Sequence, residues 1–208
     1  MEVINVLFLI ILGFAVGLSG ALMPGPLFIY TVRESLDRGK WTGALVIAGH
    51  AIVEVFIFAL LMFGLSEAIT SPLLVRAVSI LGGIVMIFMG ASALRNLNAE
   101  LKLKQATARY NPVIGGIIFT AFNPGFPIWW ATAGTRLLLE GMDRMGFAGM
   151  LLVFLGHWGA DWGWFTFVSM ATAKTSTLIF KRKWYKALRT VLAIALLVIG
   201  AYFLATGL

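Results

Sequence analysis

Cysteine is absent from all 208 residues of this chain. With it go structural disulfides, thiolate metal sites and membrane-embedded dithiol chemistry. Charge is scarce as well: 12% of the residues are Asp, Glu, Lys or Arg, about half the share usual in a soluble domain. No P-loop, dinucleotide fingerprint or defensible Ser-His-Asp arrangement occurs, and no cofactor motif is present. ATP hydrolysis by this chain is excluded on that reading, and an enzyme is not expected. The first apolar run lacks the positively charged start of a signal peptide and is about twice the usual length, so it reads as a retained helix.

What fills the gap is hydrocarbon. Hydrophobic residues make up 60% of the chain, and about 20 apolar residues at 1.5 Å each cross a bilayer core. Six apolar segments can be marked, near 4–32, 43–66, 73–94, 113–138, 146–172 and 188–207. An all-α integral membrane protein of six transmembrane helices follows. Asn111-Pro112 puts a proline at a helix start, where its missing N–H is harmless.

The formal charge of +7 is unevenly placed. The first, third and fifth connections hold Arg33, Arg38, Lys40, Arg95, Lys102, Lys104, Arg109, Lys174, Lys181, Arg182, Lys183, Lys186 and Arg189. The second and fourth hold Arg76, Arg136 and Arg144. Thirteen against three places the odd connections in the cytoplasm of an inner-membrane protein and both termini outside. The basic balance is thus a topology signal, and a nucleic-acid partner is not expected.

The two halves echo each other. "LMPGPLFIY" at 22–30 answers "FNPGFPIWW" at 122–130, and "GHAIVE" at 49–54 answers "GHWGAD" at 156–161. Each half holds three spans, an odd number, so the second enters the membrane from the opposite face. Two inverted-topology repeats are expected, 1–96 and 113–208 around a cytoplasmic connection at 97–112, with proline-broken first and fourth helices. Inverted repeats with paired interruptions are the hallmark of secondary transporters that alternate access around a midplane site.

Two constellations could form that site. Proline frees backbone carbonyls and creates a new half-helix N-terminus, which hold cations and anions respectively. Pro24, Gly25, Pro26, Asn123, Pro124 and Gly125 are therefore substrate-binding candidates, with a packing kink as the plain alternative. His50 with Glu54, and His157 with Asp161, each sit four residues apart on one helix face, about 10–22 Å into the membrane. Intramembrane acids are costly and mark function by default. They could couple protons, bind a substrate ammonium, clamp two helices, or hold a divalent metal as two imidazoles and two carboxylates. Gly13-x-x-x-Gly17, Gly39-x-x-x-Gly43 and Gly159-x-x-x-Gly163 permit close helix packing. Trp129, Trp130, Trp158, Trp162 and Trp164 are interfacial anchors or stacking partners for a cation.

The length, the P-G-P break, the N-P of the second half, "MPGPLFIYTVRESLDRGKWTGALVIAGH" and "GIIFTAFNPGFPIWW" together resemble the lysine exporter (LysE/RhtB) family over essentially the whole chain. The resemblance implies export of amino acids or related small metabolites from the cytoplasm, in exchange for protons or driven by the membrane potential. It gives Pro24, Gly25, Pro26, Asn123 and Pro124 the family's signature role. The His–acid faces are not a general mark of such exporters, so a divalent-metal exporter or a membrane scaffold subunit stays as an alternative. Expected partners are a small-molecule substrate, protons and the lipid bilayer; a homo-oligomer stays open.

Overall fold

A backbone with no water to bond must satisfy its own polar groups, and within one apolar segment only a helix does so. The computed structural model describes residues 2–23, 25–64, 71–100, 111–179 and 182–207, without the side chains at 2, 96–100, 176–179, 182–185, 188 and 189. Among these residues every regular element is helical. Pro24, Lys102, Lys104, Arg109 and Lys181 lie outside the described residues, as do the side chains of Arg182, Lys183 and Arg189.

The expected first span is two helices, α1 (Glu2–Ala21) and α2 (Pro26–Arg38), with Gly25 extended at the junction and Pro26 opening the second. Then come α3 (Thr42–Met62) and α4 (Pro72–Glu100). Helix α5 (Pro112–Ala121) is capped by the Asn111 side chain, which accepts from the Val113 amide. It stops at Phe122, and a short α6 (Gly125–Trp129) leads into one π turn, Trp130–Gly134. Helix α7 (Thr135–Ile179) turns a corner at Met145 and Gly146, and α8 (Arg182–Gly207) closes the chain.

Among the described residues, four helical stretches are long and apolar enough to cross a membrane: Val3–Ala21, Thr42–Met62, Pro72–Arg95 and Thr190–Gly207. Lipid-type faces accompany them, with Val3, Phe63, Leu73, Phe88 and Val198 all more than half exposed. The protein is a multi-pass, all-helical membrane protein. The expected spans at 113–138 and 146–172 are different in kind, because the first is cut by a break and a π turn and the second carries His157 and Asp161. The connection expected between them is helical on both sides, leaving only a two-residue corner. Gly146 takes φ 58° there, a region open to glycine and strained for other residues.

Pairing crosses between the halves. Helix α1 runs parallel to the later part of α7, where Gly13 abuts Val153 and Gly17 abuts His157. Helix α3 runs parallel to α5, with Gly116 against Val46 and His50 against Thr120. Helices α3 and α7 are antiparallel, as Gly43 on Phe165 and Glu54 on His157 require. Helices α4 and α8 are antiparallel too, and Gly83 meets Gly200. Gly49 lies over the carbonyl of Val113 and the amide of Ile117, while Gly156 lies over the carbonyl of Ile10 and the amide of Phe14. Each "GH" glycine therefore seats on one turn of the broken segment of the other half.

The apolar core is in two pieces. One gathers Leu27, Tyr30, Val46, Ile47, Phe119 and Phe165; the other gathers Leu9, Ile57, Trp130, Val153 and Phe154. The GxxxG expectation holds for Gly13 and Gly17 but not for Gly163, where a Cβ would meet no described atom within 4 Å; Gly159 faces the Phe14 ring at ordinary contact distance. The two kinds of glycine make a direct comparison. A Cβ at Gly49 would collide with the Val113 carbonyl, so Gly49→Ala should cost about 1–3 kcal/mol. Gly163→Ala should stay within about 0.5 kcal/mol. Thermal unfolding of the two variants in detergent, compared with wild type, checks both.

Candidate functional site

Between the two apolar pieces lies a polar layer. Along α3, His50 and Glu54 fall after Ile47 and before Ile57; along α7, His157 and Asp161 fall after Phe154 and before Phe165. Four-residue spacing on each helix aims both members of a pair the same way, and the antiparallel crossing brings the pairs face to face. One ligand atom from each of the four lies within 4.8 Å of all the others. Glu54 is 1% exposed, Asp161 2%, His157 3% and His50 8%, so the layer is closed to solvent on both sides.

Glu54 is its hub. Its Oε1 accepts from His157 Nε2 at 2.7 Å and from the Trp130 indole at 3.2 Å, with His50 Nε2 at 3.1 Å. Its Oε2 accepts from the Trp158 indole at 2.8 Å. Such a crowd of N–H groups suits an ionised carboxylate, which only accepts. Asp161 is served differently: its Oδ2 is 3.1 Å from His157 Nε2 and 3.7 Å from His50 Nε2, yet makes no hydrogen bond of good geometry among the described residues. Both imidazoles thus present Nε2 to both carboxylates.

The outer nitrogens separate the two histidines. His50 Nδ1 is 2.8 Å from the Thr120 hydroxyl on α5. Among the described residues His157 Nδ1 has no hydrogen-bond partner, and it lies against Gly17 of α1, where a Cβ would press on it. Aromatic rings complete the shell. Trp129 stacks on the His157 ring with centroids 4.9 Å apart, Trp130 meets it edge-on at 5.1 Å, and Phe126 meets His50 edge-on at 5.5 Å.

All three rings come from the break in the second half and its π turn. Asn123 Oδ1 accepts from the Gly125 amide and so closes the turn that starts α6. The π turn inserts an extra residue per turn, and Trp129 and Trp130 on its rim both reach the polar layer. Gly25, Pro26, Asn123, Pro124 and Gly125 do not enter the tetrad, and Pro24 lies outside the described residues. Asn123, Pro124 and Gly125 directly precede Phe126, Trp129 and Trp130, the rings that reach it. Gly20, near the first break, packs on Trp129. Thr120, Phe126 and Gly17 carried no sequence signal of this role; for Trp158, adjacency to His157 was the available hint.

Two cavities open elsewhere. One of about 610 Å³ is lined by Lys40, Phe167, Met170 and Lys174, the other of about 580 Å³ by Arg76, Ser79, Ile128 and Thr206. Neither reaches the tetrad. Arg144 bonds Glu140 at the surface and lies over the Phe8 ring.

Residues 18–207 match the LysE type translocator family. The chain is also similar to a Bacillus subtilis (strain 168) protein named "Putative amino acid efflux protein YcgF", with 22% identity over 190 residues and 90% of each chain covered. No solved structure matches the chain significantly.

Removal of one indole donor should be measurable. Trp158→Phe deletes the N–H bound to Glu54 Oε2 and should destabilise the protein by about 1.5–3 kcal/mol, the range for a hydrogen bond to a charged group. Trp162→Phe, at a position 37% exposed, should change stability by less than about 0.5 kcal/mol. Denaturant titration followed by circular dichroism distinguishes the two.

Proposed function

The chain belongs to the LysE type translocator family, and from that premise we propose that it exports amino acids or related small metabolites from the cytoplasm as a secondary transporter. In this reading two inverted three-helix halves, 1–96 and 113–208, alternate access around the tetrad, driven by protons or by the membrane potential. The odd connections face the cytoplasm and both termini face out.

The observation that supports it best is the buried tetrad between two apolar plugs. Opening the Leu27–Ile47–Phe165 plug would admit substrate from one side, and opening the Ile57–Val153–Phe154 plug would release it to the other. The crossed seating of Gly49 and Gly156 on the opposite half's broken segment is what a two-fold relation between halves would produce. Antiparallel α3–α7 and α4–α8 pairs fit that relation as well.

Roles follow from chemistry. Glu54 and Asp161, balanced by His50 and His157, take the substrate ammonium or the coupling proton. Asp161 is the more available acceptor, because its Oδ2 lacks the donors that crowd Glu54. The carboxylate end of the substrate meets backbone at the paired breaks, Pro24, Gly25 and Pro26 in one half and Asn123, Pro124 and Gly125 in the other. The amino acid name of the Bacillus subtilis relative agrees with such a zwitterionic substrate.

Reconstituted vesicles loaded with a mixture of amino acids test the reading. Wild type should release at least one of them faster than protein-free vesicles. Glu54→Gln and Asp161→Asn should each slow that release about tenfold or more, equivalent to about 1.4 kcal/mol of barrier, with helical content unchanged. Full-rate efflux from both variants would remove the tetrad from transport.

A further inference from the structure

We propose that the tetrad binds one divalent transition-metal ion of the zinc class, which bridges α3 to α7 and holds the polar layer closed. This goes beyond export: the ion occupies the tetrad in the closed state and leaves before Glu54 and Asp161 take a substrate ammonium or a proton. Two imidazoles and two carboxylates form a nitrogen–oxygen set suited to zinc, and four ligands without a thiolate are enough for a closed tetrahedral site.

Spacing agrees. Bonds of about 2.0–2.1 Å in a tetrahedron put ligand atoms about 3.3–3.4 Å apart. The four imidazole-to-carboxylate separations here are 2.7, 3.1, 3.1 and 3.7 Å, scattered about that value. Asp161 Oδ2, 2% exposed as a residue and without a hydrogen bond of its own, faces both Nε2 atoms and is the unspent acceptor in the set.

Charge agrees too. With neutral imidazoles the four groups sum to −2, and one divalent ion brings the layer to zero where hydrocarbon makes any net charge costly. An outer shell is in place for two ligands. The Thr120 hydroxyl lies 2.8 Å from His50 Nδ1 and can accept its proton, which leaves Nε2 free to ligate. The Trp158 indole holds Glu54 Oε2 and leaves Oε1 to face inward. When the ion enters, the Nε2 protons that now point at the carboxylates must leave or move to Nδ1.

The test uses the purified full-length chain in detergent, stripped with a chelator and titrated with Zn²⁺ alone. Calorimetry should give one ion per chain. X-ray absorption should report two imidazoles and oxygen ligands, and the melting temperature should rise by several degrees on binding. Asp161→Asn, nearly identical in shape, should abolish the binding and the shift while the helical spectrum stays wild type. Thr120→Val should weaken affinity about 10–100-fold, the usual cost of losing an outer-shell partner. Wild-type binding no stronger than that of the His50→Ala/His157→Ala double variant, or an ion without imidazole ligands, would overturn the proposal. Efflux plays no part in these readouts, so failure here and failure of the export reading are separate results.

Discussion

The carboxylate of Glu54 sits where no water reaches it, and the architecture around it follows from that one constraint. A charge at that depth costs several kcal/mol unless it is compensated. Compensation needs N–H donors, and lipid offers none. They come from three places in sequence: His50 on the same helix, Trp130 from the π turn, and His157 with Trp158 from α7. Each requires a backbone feature. The break after Ala121 and the π turn bring Trp130 inward, and glycines at 49, 17 and 156 let helices approach closely enough for side chains of ordinary length to meet. Irregular backbone in the second half is thereby tied to the needs of one acid in the first.

Legibility in the sequence divided along physical lines. Apolar run length gave the membrane class and located α1, α3, α4 and α8, because hydropathy integrates over some twenty residues. The prolines announced both breaks, and four-residue spacing placed His50 with Glu54 and His157 with Asp161 on common faces. Their meeting across α3 and α7 depends on register between helices, which no local pattern encodes. The aromatic shell was harder still. Trp129 and Trp130 could be interfacial anchors by composition alone, and only a π turn, itself without a sequence signature, directs both to His157. Asn123 was legible as polar but not as the closing residue of its own turn.

The arrangement also separates two kinds of specification. Apolar plugs above and below the layer are built from common residues such as Ile47, Ile57, Val153 and Phe154, which any carrier of this size can supply. The tetrad is particular: it needs two acids and the chain's only two histidines at matched depths.

The separation between Glu54 and its later donors has a consequence for biosynthesis. Trp130 lies 76 residues downstream and Trp158 104 residues downstream. At about 5–20 residues per second, the ribosome needs on the order of 4–20 s to make them. During that interval α3 has emerged while the second half has yet to be made, and a bare glutamate would resist partition into lipid. His50, one turn away at 3.1 Å, is made before it and on the same helix. The pair can enter the bilayer as a self-screened unit, a built-in chaperone for its own insertion, and pass to its final partners only when α7 arrives.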